Sequence, residues 1–326
     1  MQSEIPSCLL PILSDHPFVI PDAGAAGGIH RRWSSLGGGV KVLGFEPDNR
    51  EFGRLPKSDN YIWVNAALGD RESEVALQVT RHQTNTSLLL PNRGVVDRIY
   101  RNPADFDVIK EVVVDCTTLD AACQITGIRA SALKADTQGT ELSILRGAQR
   151  SLDETLVSVE LEVEFVQLYK NQPLFPDIDV FMRNHGFMLV DLGNLLCHKW
   201  RHSVNLGGRK GQLLAADALY LRSPDGLRKL LNSSEQPLEL FAHHWAACFV
   251  YGYLDLAYEV SIEHLNAPWM TPVVSKNIGD WADNATRNTA TQPTRGRGRV
   301  ATWLRKLADK VEPRGHSVWI NPLGNE

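Results

Sequence analysis

The chain has 326 residues, a formal net charge of −4 and 43% hydrophobic residues, which suffices for one large domain with an additional segment. The slightly acidic balance argues against a general affinity for nucleic acid, and no apolar run of 18 residues predicts a transmembrane helix. Five scattered cysteines without a C-x-x-C pair predict neither a disulfide framework nor a zinc site. Since the start also lacks a signal-peptide pattern, we expect a cytoplasmic protein without a bound metal.

A glycine-rich turn follows the first predicted strand. The strand, Phe18 to Asp22, ends in a carboxylate, and a turn over 23–28 leads into a predicted helix over 29–36. Glycines at such a turn let a ligand approach the backbone closely. The spacing is not the G-x-G-x-x-G of a dinucleotide loop, and Asp22 would repel a pyrophosphate while it suits an ammonium group. The turn therefore favours S-adenosylmethionine over NAD.

The second predicted strand also ends in an acid. The strand Val40 to Phe45 leads directly to Glu46. Glu46 follows the glycine turn by about 20 residues, the spacing at which an acid accepts hydrogen bonds from ribose hydroxyls. A solvated glutamate after a simple glycine turn is the alternative.

Further predicted elements follow in the order of a helix to about Leu55, strands at Tyr61–Asn65, Val75–Val79 and Val108–Val114, the last near a sheet edge, and a short helix at Leu119–Ile125.

Polar residues are concentrated in the stretch from Lys134 to Glu141. An apolar strand over 131–136 precedes it, and a helix begins at once, with Leu142 and Leu145 at helical spacing. Strand, polar turn and helix is the arrangement with which an open α/β sheet builds a site outside the carboxyl ends of its strands. We expect Asp136, at the end of this strand, to lie in such a crevice.

The next predicted strand, Leu156 to Phe165, alternates between apolar and acidic residues. Three carboxylates, Glu160, Glu162 and Glu164, share one face. For Glu160 and Glu164 a solvated face of an edge strand remains open, because burying several carboxylates is costly. A carboxylate near the end of this strand would lie beside Asp136, where two carboxylates suit general-base work on a hydroxyl or the binding of substrate.

The last strands and the C-terminal region have a different pattern. Strands are predicted at Gly186–Asp191 and Asp217–Arg222, and the basic segment between them is read as a hairpin rather than a metal site built on His198 and His202. Helical periodicity then continues to His264. We predict a helical appendage that packs on the core or forms a homodimer contact.

The tail combines a polar segment with a basic amphipathic pattern. We predict a linker over 283–298 and a helix over 300–311, with the remainder of 299–326 as tail. Such a helix can pack on its own domain or lie on an anionic membrane surface.

These motifs resemble the FkbM family of S-adenosylmethionine-dependent methyltransferases over roughly residues 18–222. One position differs, since Ala26 stands where the family has an asparagine. The matching stretches are Asp22–Gly28, Phe45–Pro47, Ala67–Asp70, Lys134–Glu141, Leu145–Ala148, Glu162–Phe165 with Tyr169, and Gln172–Phe175.

The resemblance implies an α/β fold of the class I methyltransferase type, a Rossmann-like, doubly wound and mainly parallel sheet with a helical C-terminal appendage. It divides the chain into a methyltransferase domain over 1–225, the appendage over 226–282, the linker and the tail. Implied cofactor-binding residues are Asp22, Gly24, Ala25, Gly28, Glu46, Pro47, Ala66, Ala67 and Leu68, and implied substrate-binding residues are Ser87, Gln138, Glu141 and Tyr169. Asp136 and Glu162 are the predicted catalytic pair.

The implied activity is O-methylation of a hydroxyl on a sugar, polysaccharide or natural product. Two alternatives stay open at this point. One is a non-catalytic methyltransferase-like module that binds a glycan or a protein, motivated by Ala26 and the appendage; the other is an NAD-dependent dehydrogenase, disfavoured by Asp22.

Overall fold

The computed structural model describes residues 5–24, 31–56, 58–203, 210–289 and 317–318. The strands are β1 (Phe18–Ala23), β2 (Val40–Phe45), β3 (Tyr61–Val64), β4 (Ala67–Leu68), β5 (Ser73–Thr80), β6 (Val108–Thr117), β7 (Ala132–Ala135), β8 (Ser158–Glu164), β9 (Phe187–His198), β10 (Gln212–Arg222) and β11 (Ser317–Val318). The α-helices are α1 (Leu10–Asp15), α2 (Asn49–Phe52), α3 (Arg93–Ile99), α4 (Leu119–Thr126), α5 (Glu141–Arg146), α6 (Gln149–Glu154), α7 (Phe175–Asn184), α8 (Pro224–Ser233), α9 (Pro237–Tyr251), α10 (Leu254–His264) and α11 (Pro272–Thr289). Short 3₁₀ helices are η1 (Arg31–Leu36), η2 (Gln83–Asn85), η3 (Pro103–Phe106) and η4 (Arg201–Ser203).

The main sheet has the strand order β11-β9-β10-β8-β7-β1-β2-β3. Strands β3, β2, β1, β7 and β8 are parallel, and β10 enters antiparallel between β8 and β9. The strand order reverses between β1 and β7, so their carboxyl ends open a crevice at the switch point. The predicted doubly wound, mainly parallel sheet is confirmed.

Helices cover both faces of this sheet. Helices α4 to α7 pack on one face against residues such as Leu133 and Leu161. On the other face, α1, η1 and α8 to α11 pack against Phe18, Val40 and Leu219. Helix α9 is apolar nearly all round and almost wholly buried, as expected for a helix inside a core. The predicted helical appendage is therefore part of the core that supports the sheet.

Strand β8 corrects one expectation from the sequence. It is a central strand between β7 and β10, and Glu160 and Glu164 are 9% and 1% exposed. The solvated-edge interpretation of its acidic face is therefore wrong. Strands β7 and β10 flank β8 on both sides, and Tyr251 of helix α9 contacts Glu160 on its acidic face.

Other expectations need smaller corrections. Strand β6 does not lie near an edge of the main sheet but in the middle of a second sheet, β4-β6-β5. The predicted helix over 29–36 is a 3₁₀ helix from Arg31. Helix α11 extends to Thr289, so the first part of the linker predicted over 283–298 is helical. The predicted amphipathic helix over 300–311 lies outside the described residues. No helix among the described residues is long and apolar enough to cross a membrane.

Candidate functional site

Four acidic residues that the sequence marks as candidates lie at the carboxyl ends of neighbouring strands in the main sheet. Asp22 is near the end of β1, Glu46 follows β2, Asp136 follows β7, and Glu162 lies near the end of β8. Because these strands are parallel neighbours, their carboxyl ends meet in the crevice at the switch point. The structure thus brings together the acids that the sequence marks separately.

Asp22 is buried and ion-paired. Its Oδ1 lies 3.1 Å from Nζ of Lys134, and its pKa is raised by burial although the Lys134 charge lowers it. Burial lowers the pKa of Lys134, but the charges of Asp22, Asp136 and Glu160 outweigh burial and raise it. Lys134 therefore stays charged and holds Asp22 in place beside the glycine turn.

Gly24 is required by close packing of β1 on β7. Its φ is +88°, and a β-carbon at this position would overlap the backbone carbonyl oxygen of Asp136. Any other residue would therefore push the turn away from the β7 strand end. The predicted cofactor residues Ala25 and Gly28 lie outside the described residues.

Glu46 is 9% exposed, and its Oε1 accepts a hydrogen bond of 2.8 Å from the backbone N–H of Asp48. Burial raises its pKa, while that hydrogen bond lowers it. Pro47 beside it is half-buried. Ala66 and the strand Ala67–Leu68 are buried, and that strand pairs with β6 of the small sheet. Their predicted contact with adenine remains a prediction.

Glu141 supports the turn between β7 and α5. Its Oε1 accepts hydrogen bonds from the Thr137 backbone N–H at 2.8 Å, the Thr137 hydroxyl at 2.9 Å and the Gly139 N–H at 3.3 Å. It is 1% exposed, and burial raises its pKa from 4.5 to about 7 despite these donors. Glu141 thus fixes the turn, and its predicted contact with substrate remains a prediction.

Gln138 links the two predicted catalytic acids. Its Nε2 donates to Oδ1 of Asp136 at 3.1 Å and to Oε2 of Glu162 at 2.5 Å. Asp136 is exposed to the crevice and Glu162 is half-buried. Gln138 has a φ of 59°, a conformation uncommon for residues other than glycine that persists where surrounding contacts hold it.

Ser87 and Tyr169 fix the position of Gln138 through hydrogen bonds. The Ser87 hydroxyl donates to the Gln138 carbonyl oxygen at 2.8 Å. The Tyr169 hydroxyl lies 3.1 Å from Oε1 of Gln138 and 2.9 Å from the Asn85 carbonyl oxygen, so its single proton can be donated to either. The predicted substrate residues Ser87, Gln138 and Tyr169 therefore meet at one place, together with the predicted acids.

The carboxyl groups around Gln138 repel one another. Burial, followed by the charge of Asp136, raises the pKa of Glu162 well above its usual value. Burial and the charges of Glu141 and Asp136 do the same for Glu164. Two carboxyl groups in one site do not easily ionise together, so one of them keeps its proton at a pH at which an isolated carboxyl group would lose it.

Sequence reasoning missed several residues of this site. The motif that contains Lys134 indicates no role for it, and the alternation along β8 does not decide whether Glu164 is buried or solvated. Asp217 pairs in register with Glu162, accepts a hydrogen bond of 2.6 Å from Asn194, and has its pKa raised to about 6 by burial. The regular alternation of acidic and apolar residues along β8 is the one sequence signal that indicates this part of the site.

A family model describes most of the region that forms this crevice. The methyltransferase FkbM domain model matches residues 22–189. The chain belongs to this family. The prediction of an S-adenosylmethionine-dependent methyltransferase family is therefore confirmed, and the dehydrogenase alternative loses its support. A search of curated proteins returned no significant match.

Solved structures with a similar fold include further methyltransferases. Methyltransferase FkbM from Methylobacillus flagellatus KT is 15% identical with a TM-score of 0.34, and the match covers 64% of this chain but only 44% of that protein. Precorrin-6y C5,15-methyltransferase from Geobacter metallireducens GS-15 is 13% identical, with a TM-score of 0.32 and coverage of 67% and 87%. Magnesium protoporphyrin IX methyltransferase from Synechocystis PCC 6803, solved with bound S-adenosylmethionine, is 10% identical, with a TM-score of 0.30 and coverage of 67% and 77%.

The donor set of the crevice fits S-adenosylmethionine. Glu46 and Asp136 present carboxylates at the strand ends, while Lys134 is engaged with Asp22 and Arg32 with Glu160. Carboxylates accept hydrogen bonds from ribose hydroxyls and attract ammonium and sulfonium groups, but they repel a pyrophosphate. The assignment of Asp22 and Gly24 to the methionine end of the cofactor and of Glu46 to its ribose remains a prediction.

Proposed function

We propose that this protein transfers a methyl group from S-adenosylmethionine to a hydroxyl of a sugar, polysaccharide or natural product. The observation that carries the proposal is the unit of Asp136, Gln138 and Glu162 at the switch point of the sheet. It offers an oriented and exposed carboxylate beside the crevice whose donor set fits the cofactor.

Alignment is the main task of the chain. The cofactor supplies a methyl group on a sulfonium, which moves to the acceptor oxygen as the carbon–sulfur bond breaks. Glu46 would hold the ribose of the cofactor, and the Asp22–Gly24 segment would hold its methionine end. Correct alignment of reacting groups is worth about 7–11 kcal/mol in favourable cases, so little further chemistry is required of the protein.

Asp136 is the proposed general base. The acceptor hydroxyl gives its proton to the Asp136 carboxylate, which the Gln138 amide holds in place at 3.1 Å. Glu162 shares the Gln138 amide with Asp136, and burial followed by the Asp136 charge raises the pKa of Glu162. General-base assistance of this kind contributes about 10²–10⁴-fold to a rate.

The surroundings of Asp136 suit a polar acceptor. Asp136 is exposed, and Gln138 and Glu162 beside it are partly exposed, so polar groups face the acceptor. Buried Ser87 and Tyr169 fix Gln138 in this arrangement. Exposed amide and carboxyl groups recognise the hydroxyls of a sugar better than an apolar surface does. This supports a polyhydroxylated acceptor over a flat hydrophobic one.

Thermal unfolding with added ligand tests the cofactor, and mass spectrometry tests the reaction. S-adenosylmethionine and S-adenosylhomocysteine should stabilise the protein by about 2.7 kcal/mol at 100 times their Kd, and NAD should not. Incubation with a panel of sugars and glycans should then add 14 Da to one acceptor class, the mass of about one CH₂ unit. Stabilisation by NAD alone would overturn the proposal, and cofactor binding without any methylated product would favour the non-catalytic alternative.

A further inference from the structure

Tyr251 connects the C-terminal helical region with the crevice. It is the last residue of α9, outside the segment that matches the family model, and it is 4% exposed. Its hydroxyl donates a hydrogen bond of 2.6 Å to Oε2 of Glu160 on β8. A buried hydroxyl bound to a buried carboxylate is a strong, charge-assisted contact.

Arg32 completes a cluster around the Glu160 carboxylate. Its Nη1 lies 3.2 Å from the same Oε2, and its guanidinium lies 5.3 Å from the centre of the Tyr251 ring. Arg32 follows the glycine turn by a few residues in the sequence. Glu160 is therefore held from two directions, by the appendage and by the segment that follows the cofactor turn.

Glu160 belongs to a row of charges across three neighbouring strands. In register, Asp22 of β1 pairs with Lys134 of β7, and Lys134 pairs with Glu160 of β8. Lys134 bonds to Asp22 at 3.1 Å, and the Glu160 charge helps to keep Lys134 protonated. Together with Arg32 the row contains two cations and two carboxylates, and Lys134 lies between Asp22 and Glu160.

We infer that Tyr251 is a positioning residue for the methionine end of the cofactor, and that it acts through Glu160, Lys134 and Asp22. The inference rests on the proposed function. The C-terminal helices thus contribute to the donor site itself, although they lie outside the family's matched domain. Without the Tyr251 hydroxyl, Glu160 keeps only Arg32 among the partners described above and draws more strongly on Lys134, which loosens Asp22.

The Tyr251 ring is fixed independently of its hydroxyl. It packs edge-on against Trp33 with ring centroids 5.5 Å apart, and Trp33 stacks on Phe18 of β1 at 4.9 Å. Tyr251→Phe therefore removes the hydrogen bond to Glu160 and leaves the packing in place. Tyr253→Phe is a matched control, because the Tyr253 hydroxyl donates to the Val190 carbonyl oxygen at 3.3 Å, away from the row.

The test compares two ligands by calorimetry on the full-length chain. S-adenosylhomocysteine carries the methionine end, whereas 5′-methylthioadenosine lacks its amino and carboxyl groups. Tyr251→Phe should raise the Kd for S-adenosylhomocysteine about tenfold, equal to about 1.4 kcal/mol, and leave the Kd for 5′-methylthioadenosine unchanged. Tyr253→Phe should leave both unchanged. A purely structural role would weaken both ligands together or neither.

The outcomes separate this inference from the proposed function. If the unmodified chain binds S-adenosylhomocysteine and Tyr251→Phe binds it equally well, or weakens both ligands alike, the inference is overturned and the proposed function stands. If the unmodified chain does not bind S-adenosylhomocysteine, both are overturned. Should Tyr251→Phe fail to fold, Glu160→Gln serves as the second variant, with the same ligand-selective loss expected and the same results contradicting it.

Discussion

The two ends of the crevice differ in how their charges are paired. At the methionine end, Asp22 pairs with Lys134, and Glu160 pairs with Arg32. At the proposed acceptor end, Asp136 and Glu162 are linked through the Gln138 amide, and burial together with neighbouring carboxyl groups raises the pKa of Glu162 and of Glu164. The first arrangement suits rigid binding of a ligand, and the second suits proton transfer.

This contrast has a physical consequence for the response to pH and to mutation. Paired charges transmit a disturbance to their partners, as between Asp22 and Lys134. Crowded carboxylates hold protons and respond to pH. We expect changes at the acceptor end to alter turnover and changes at the donor end to alter cofactor affinity.

The largest expected effect is that of Asp136→Asn. The amide keeps the shape and the contact with Gln138 but cannot accept the acceptor's proton. Turnover should fall by about 10²–10⁴-fold, measured on whichever acceptor the unmodified protein methylates, while the Kd for S-adenosylhomocysteine stays within about twofold, less than 0.5 kcal/mol. A loss confined to KM would instead assign Asp136 to substrate binding.

Glu46→Ala should act at the donor end. Loss of its hydrogen bonds to the ribose should weaken S-adenosylmethionine binding by about 1.5–3 kcal/mol, the usual value for bonds to a charged group. Calorimetric titration measures this, with Glu74→Ala as the control, because Glu74 is exposed on β5 of the second sheet. Unchanged affinity in a folded Glu46→Ala protein would remove Glu46 from the cofactor site.

Glu141→Gln should change the pH dependence of stability. Burial raises the pKa of Glu141 from 4.5 to about 7, so the folded state binds this proton more tightly than the unfolded state. The stabilisation is complete below about pH 4.5 and is lost as pH rises through about 7. A glutamine amide does not ionise, so the variant does not lose this stabilisation. Relative to the parent, its free energy of unfolding should therefore rise by about 1–3 kcal/mol between pH 4.5 and pH 7. The account would be contradicted if urea denaturation gave the same difference in unfolding free energy between variant and parent at pH 4.5 and at pH 7.

The smallest expected effect is that of deleting residues 295–326. Cofactor affinity should stay within about twofold of the full-length value, less than 0.5 kcal/mol. The melting temperature should fall slightly, because Ser317–Val318 pairs with Cys197 and His198 at the edge of the sheet. Loss of cofactor binding on deletion would show that the tail belongs to the donor site.

Most of the fold could be predicted from local pattern. The alternation in β8 and the carboxylate endings of β1 and β2 are visible in the sequence, as is the strand–turn–helix pattern around Asp136. These signals depend only on residues close in the chain. Local pattern identifies Asp136, whereas Glu162, Ser87, Gln138 and Tyr169 are implied by the family resemblance, and the structure brings these residues together.

The remainder depends on contacts between distant segments. Whether Glu160 is buried depends on β10, which inserts beside β8 from some 50 residues further along. Tyr251 reaches Glu160 across 91 positions, and no local pattern indicates such a contact. The pairing of Asp22 with Lys134 likewise joins strands 112 positions apart. Pattern reasoning identifies the acids but not their partners.

A structure of the complex with S-adenosylhomocysteine tests the central claim most directly. We expect the ribose hydroxyls on the Glu46 carboxylate, the methionine amino group beside Asp22, and the sulfur facing Asp136. A ligand whose sulfur points away from Asp136, or whose ribose lies outside hydrogen-bond distance of Glu46, would contradict the assignment of the two ends of the crevice.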